Sequence, residues 1–108
     1  MLEIDTQGNI KITRGDTGIF QIDLVDSEGE PYTPVEGDSI RFAMAKNYGS
    51  NVLVEKEIST DDMLLKLEPA DTKTLEFGSY VYDIQFTSSN GDVSTIILAK
   101  VTLTKEVA

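Results

Sequence analysis

The chain has 108 residues, of which nine are basic and nineteen acidic, giving a net charge of −10, and it contains neither histidine nor cysteine. This length suits a single domain, residues 1–108, and so acidic a surface repels phosphate groups, which argues against nucleic-acid and membrane-surface partners. Without imidazole or thiol groups, Ser–His and Cys–His catalysis and the usual transition-metal ligand sets are excluded. We therefore expect no enzymatic activity, no catalytic residue and no metal site.

The amino-terminal segment, residues 1–9, has two interpretations. Leu2 and Ile4 alternate with polar residues as in a strand, and the run Gln7-Gly8-Asn9 then interrupts the pattern. Either Gly8 and Asn9 close a small hairpin with the next strand, or the segment is an arm that pairs with a neighbouring subunit by strand addition.

The middle of the chain alternates apolar and polar residues in short runs separated by turn residues, which is typical of a β-sandwich or barrel of about seven strands. Strands are predicted near residues 10–12, 20–24, 40–44, 52–58 and 63–67, followed by two more in a closing hairpin. One short helical turn is predicted near residues 69–75, because Pro69 suits a first helical position and Gly78 suits the exit. A crossover of this length fits a Greek-key connection.

The closing hairpin predicts its own register. Asn90-Gly91 favours a two-residue type I′ turn, in which both residues have positive φ and Ser89 faces Asp92. Side chains alternate along a strand, so the facing pairs form one apolar face that packs in the core. These pairs are Phe86 with Thr95, Ile84 with Ile97, Tyr82 with Ala99, and Tyr80 with Val101.

The opposite face of the hairpin carries Val81, Ile96 and Leu98 among polar residues, which is more apolar than a solvated sheet face requires. These three residues, together with Leu2 and Ile4 of the amino-terminal segment, are the predicted interface. The alternative is that the amino-terminal segment or another strand of the same chain covers Ile96 and Leu98.

Two motifs suggest ligands and have simpler explanations. Arg14-Gly15-Asp16 has the sequence of an integrin-binding loop, but Gly15 and Asp16 are also ordinary turn residues between two strands. The acidic run at residues 26–30 lacks the length of a calcium-binding loop, so a solvated turn is the interpretation that we adopt.

The order of these elements resembles a known family. The signatures are Arg14-Gly15-Asp16-Thr17, Gly37-Asp38-Ser39-Ile40-Arg41-Phe42, Leu67-Glu68-Pro69-Ala70-Asp71-Thr72, Gly78-Ser79-Tyr80-Val81-Tyr82-Asp83 and Gly91-Asp92-Val93. They resemble the immunoglobulin-like domains of phage and prophage virion proteins from Gram-positive hosts, typified by the amino-terminal domain of baseplate upper proteins. The likeness spans residues 10–104.

The resemblance implies an immunoglobulin-like Greek-key β-sandwich. It also implies a non-enzymatic structural component of a phage or prophage particle that needs no cofactor: a tail, baseplate, fibre-base or capsid accessory protein. Such a protein is made in the bacterial cytoplasm, resides in the virion, and acts through contacts with other virion proteins and with copies of itself. The alternative is a cell-surface adhesion or carbohydrate-binding module, because sandwich folds host many functions.

Overall fold

The computed structural model describes residues 3–4, 8–26 and 28–105. They form eight strands and one short helix. In chain order these are β1 (Glu3–Ile4), β2 (Ile10–Thr13), β3 (Gly18–Gln21), β4 (Ser39–Ala45), β5 (Val52–Ile58), β6 (Leu64–Leu67), α1 (Pro69–Thr72), β7 (Gly78–Thr87) and β8 (Val93–Thr104). The prediction of an all-β chain with one helical turn is confirmed, and the helix ends three residues before the predicted limit of 75.

The strands form two sheets of unequal size. The larger sheet has six strands in the order β1-β2-β8-β7-β4-β5, and the smaller pairs β3 with β6. All pairs are antiparallel except β2 with β8, which run parallel. The strand predicted over residues 20–24 begins earlier, at Gly18, and ends at Gln21, although Ile22 and Leu24 continue its buried alternation.

One core lies between the sheets. Period-two alternation places every second side chain of β2, β4, β5, β7 and β8 on the inner face of the larger sheet, and β3 and β6 close over it. Its fully buried members are Ile10, Ile12, Ile40, Phe42, Met44, Ile58, Leu65, Leu67, Tyr82, Ile84, Val101 and Leu103.

The closing hairpin has the predicted register over most of its length, but its turn was predicted wrongly. The pairs Ile84–Ile97, Tyr82–Ala99 and Tyr80–Val101 form as expected. At the tip, the Ser88 N–H donates to the Asp92 carbonyl and the Gly91 N–H to the Ser88 carbonyl, so the loop has three residues. Gly91 alone takes positive φ, 95°, as in a three-residue loop that ends in a left-handed glycine.

A β-bulge restores the register that the longer loop displaces. Phe86 pairs with Ser94 and not with Thr95, whereas Ile84 pairs with Ile97 as predicted. Ile96 is therefore the extra residue of β8, without a partner opposite it in β7. The three-residue loop and the bulge each shift the pairing of β7 with β8 by one residue. The two shifts have opposite directions and so cancel.

The described part of the amino-terminal segment pairs with a strand of its own chain. β1 pairs with β2 as an antiparallel hairpin, with Ile4 opposite Ile10, which is the hairpin interpretation of residues 1–9. The Tyr82 hydroxyl donates to the Gly8 carbonyl, and the Lys100 N–H donates to the Asn9 side-chain oxygen. The entry to β2 is thereby fixed against β7 and β8.

The segment Arg14-Gly15-Asp16 is a turn, as its structural interpretation predicted, and it packs against the end of α1. The Gly15 N–H donates to the hydroxyl of the fully buried Thr72, and the Arg14 guanidinium donates to the Leu75 carbonyl. The same guanidinium lies 4.1 Å from the centre of the Phe77 ring. Arg14 is thus held by backbone and ring contacts within the fold.

Lys56 lies on β5, an outermost strand of the larger sheet. It is opposite Phe42 and so points to the inner face of β5, where its ammonium contacts the Asp71 carboxylate at 2.9 Å. Asp71 also accepts the Glu68 N–H that begins α1. An inward charge on an outermost strand disfavours edge-to-edge sheet pairing.

Candidate functional site

The outer face of the larger sheet carries a shallow groove, which we call the outer groove. It spans β8, β7, β4 and β5 and has a volume of about 140 Å³. Its floor is low because Ala43 and Ala45 occupy the outward positions of β4. Its lining from the other strands and the β4–β5 loop includes Tyr48, Val52, Val81, Asp83 and Leu98.

Strand order explains why these side chains meet. Asp83 on β7 is opposite Ala43 on β4 and opposite Leu98 on β8. Val81 is opposite Ala45, one row further along. Cross-strand neighbours of this kind approach within contact distance, so the short alanines leave a depression between the larger neighbours.

Asp83 is the charged residue of the groove lining, which also includes the polar residues Asn47 and Ser50 of the β4–β5 loop. Among the described residues, its Oδ1 is the buried side-chain oxygen that lacks a hydrogen-bond partner. The guanidinium of Arg41, on the same face, donates to Glu55 at 2.8 Å and to Gln85 at 2.9 Å. The ion pairs found in the described part of the chain do not include Asp83.

The structure brings together only part of the predicted interface. Val81 and Leu98 both line the outer groove, and Leu98 is exposed. Ile96 does not join them, because the bulge moves it to a second groove beside Leu24, Tyr32 and Phe86. The expected shared face of Val81, Ile96 and Leu98 is therefore wrong for Ile96.

The two remaining predicted residues lie in the amino-terminal segment. Ile4 belongs to β1, at the edge of the larger sheet and separated from β7 by β2 and β8. Leu2 lies outside the described residues. The described part of β1 pairs beside β2 and leaves Leu98 exposed, so the alternative in which this segment covers Leu98 does not apply there.

The predicted interface left out most of the groove lining, including Asp83, Ala43, Ala45, Tyr48 and Val52. The two alanines stand at outward positions of a strand where solvated sheets usually carry larger polar groups, and this was a usable signal. Tyr48 and Val52 gave none, because their place at the groove depends on β4 and β5 lying beside β7.

A separate polar cluster fixes the tip of the closing hairpin. The Asp38 carboxylate accepts the Tyr32 hydroxyl at 2.7 Å, the Val35 N–H at 2.9 Å and the Ser89 N–H at 2.9 Å. The pKa of Asp38 lies below its ordinary value. The main cause is the hydrogen bond from the Val35 N–H, and the second is the hydrogen bond from the Tyr32 hydroxyl. The hydrogen bond to Asp38 in turn raises the pKa of Tyr32. The cluster joins the loop before β4 to the loop after β7.

Acid should weaken this cluster before it unfolds the core. Because the pKa of Asp38 is lower in the folded chain than in the unfolded chain, its stabilisation is complete above the unfolded value and is lost as pH falls through the folded value. Urea unfolding should therefore show stability falling below about pH 4. Asp38→Asn should reduce this dependence relative to an exposed control, Asp23→Asn, and an identical acid slope in both variants would contradict the assignment.

In the described residues, no cluster of three or more acidic side chains is arranged to hold a metal ion. No helix within the same ranges is both long and apolar enough to cross a membrane. The sequence matches no protein-family model, and it matches no curated protein at a significant level.

Proposed function

We propose that this chain is a non-enzymatic structural component of a phage or prophage particle that acts through protein–protein contacts. The observation that carries the proposal is the exposed Leu98 beside Val81 in a groove on the outer face of the larger sheet. Apolar residues gathered in an exposed groove are typical of an interaction surface. The proposal that the protein is made in the host cytoplasm and resides in the virion rests on the resemblance of the sequence to virion proteins.

We further propose that the two sheets form an immunoglobulin-like Greek-key sandwich. Supporting this, the first long-range pairing is parallel, β2 with the last strand β8, and β3 pairs with β6 across the chain. Between β6 and β7 a helical turn leads to Tyr80, whose hydroxyl donates to the Glu76 carbonyl at 2.7 Å. A tyrosine bonded to backbone a few residues upstream marks this corner in immunoglobulin domains.

The proposal assigns the two exposed regions to different partners. The outer groove contacts other virion proteins. The outermost position of β1 suits strand addition by further copies of the chain, because an edge strand presents unpaired backbone groups. The net charge of −10 supports protein partners over nucleic acid or anionic membranes.

The groove is tested by placing a charge in it. Leu98→Asp should leave the thermal melt cooperative and remove the chain from particles, since a buried contact would then desolvate a carboxylate. The measurement is an immunoblot of purified particles from the bacterium that carries the gene, complemented with each variant.

Val93→Asp is the matched control, because Val93 is 61% exposed and Leu98 is 60% exposed on the same strand. Val93 lies at the hairpin tip, outside the groove, so its variant should be incorporated normally. Equal incorporation of both variants would refute the role of the groove, and absence of the wild-type chain from particles would refute the virion role.

A cell-surface adhesion or carbohydrate-binding role is the second candidate. It is favoured by one observation, the exposed Tyr48 at the groove, since aromatic rings stack on sugars. A glycan array separates the two functions. Saturable binding that Tyr48→Ala abolishes would favour the second, and its absence together with incorporation into particles would favour the first.

A further inference from the structure

We propose that the outer groove binds a lysine or arginine side chain, which a different and basic protein inserts against the carboxylate of Asp83. This inference rests on the proposed function, because it names the chemistry of the partner that uses the same face. In this arrangement Asp83 selects the partner by its charge. Leu98 packs against the inserted side chain and excludes water from the contact.

The shape of the groove suits a long side chain with an apolar stem. Val52 on β5 and Leu98 on β8 flank a floor formed by Ala43 and Ala45, and exposed Tyr48 stands at the β4–β5 loop. Lysine and arginine pack their methylene groups along apolar surface while the charged end reaches a polar partner. A shorter cation would leave the walls uncovered, and an uncharged apolar chain would leave the carboxylate unpaired.

The electrostatics of the floor favour a cation from outside the chain, because Lys100, which lies diagonal to Asp83 on the same face, forms no ion pair with it in the described residues. Asp83 has a buried oxygen without a hydrogen-bond partner in the described residues, and the nearby Arg41 is bound to Glu55 and Gln85. A buried acceptor left unpaired is unfavourable, and a hydrogen bond from a charged donor is among the stronger compensations. A partner's guanidinium or ammonium supplies that donor without disturbing the Arg41 contacts.

A second copy of the chain is a poor occupant of the same groove. A two-fold contact places the same patch of both copies face to face, and this would bring the two Asp83 carboxylates toward each other. Charge complementarity therefore favours a basic partner of a different kind.

The test uses three blocked tripeptides with the full chain: Val-Arg-Val, Val-norleucine-Val and Val-Glu-Val. In a ¹⁵N-resolved NMR titration, the arginine peptide should give saturable shifts centred on the amides of Ala43, Ala45, Val81 and Leu98. The norleucine peptide, which has a similar stem without charge, should bind roughly tenfold more weakly, and the glutamate peptide should not bind. Added salt should weaken only the arginine peptide.

Three variants isolate the carboxylate. Asp83→Asn should reduce arginine-peptide affinity to the norleucine level, whereas Asp23→Asn removes the same charge outside the groove and should change it little. Ala45→Leu keeps the carboxylate but fills the floor, so it should abolish binding of both peptides. This last variant keeps the test decisive if Asp83→Asn alters the sheet.

Several results would overturn the inference. These are equal binding of the arginine and norleucine peptides, equal effects of Asp83→Asn and Asp23→Asn, and unsaturated shifts spread over the acidic surface. Concentration-dependent shifts of the groove amides without peptide, removed by Ala45→Leu, would instead identify a second copy as the occupant. If the peptides fail while Leu98→Asp still removes the chain from the particle, only the partner's chemistry is wrong and the proposed function stands.

Discussion

Phe42→Ala should lower the free energy of unfolding by roughly 3–5 kcal/mol, the largest loss expected from a single substitution in this chain. Phe42 is fully buried in β4, between Ile84 of β7 and Lys56 of β5. Its ring centre lies 5.3 Å from that of Tyr82, which anchors the Gly8 carbonyl. The cavity would thus open where β4, β7 and the entry to β2 meet, with few neighbours free to collapse into it.

Leu53→Ala is the matched control, because Leu53 is an apolar residue of the adjacent strand β5 and is exposed. Urea unfolding should show a lower midpoint for Phe42→Ala with an unchanged slope, and little change for Leu53→Ala. Because small domains are stable by only about 5–15 kcal/mol, Phe42→Ala should remove a large part of the total stability. Equal midpoints for the two variants would show that the core is not centred on β4.

The closing hairpin shows what local sequence can and cannot establish. The apolar face from Tyr80 to Ile84 follows from alternation, and its register with Val101, Ala99 and Ile97 was correct. The tip was wrong, because Asn90-Gly91 suits both a two-residue loop and a three-residue loop in which only glycine is left-handed. In the three-residue loop the Ser89 N–H donates to Asp38, 51 residues away in the sequence, and local sequence does not reveal such a contact.

The wrong prediction of the hairpin turn also made the predicted interface wrong for Ile96. A one-residue bulge reverses the face of the residue that it inserts, so Ile96 left the face of Leu98. Predicting the groove requires knowing that β4 lies beside β7, and these two strands are distant in the sequence. Alternation fixes which face a side chain occupies within its strand, but strand order is set by long-range packing. Val81 and Leu98 were therefore predictable, whereas Tyr48 and Val52 were not.

Contacts of the same long-range kind hold the loops in place. Thr72, Asp38 and Lys56 each bond an element distant in sequence, to Gly15, Ser89 and Asp71 respectively. None of the three stands out by residue type, since Thr, Asp and Lys are ordinary surface residues. These contacts help to hold the loops around one core, although the second sheet has only two strands.

Gly37→Ala should cost roughly 2–4 kcal/mol of stability, the sum of backbone strain and a steric clash. Gly37 has a φ of 93°, and a Cβ built on it would lie 2.9 Å from the Cβ of Ser89. Gly29 is the matched control, because its φ is 81° and its Cβ would meet nothing within 4 Å. Gly29→Ala should therefore show only the strain, about 1 kcal/mol.

A double-mutant cycle separates the two causes. Ser89→Gly removes the Cβ that the new methyl group at position 37 would strike, so the pair Gly37→Ala and Ser89→Gly should be more stable than the sum of the single effects predicts. The hairpin tip would then keep its place against the loop before β4, and the Ser89 N–H its bond to Asp38. If the single effects simply add, the two loops do not touch at this point, and the tip is held by the Asp38 carboxylate alone.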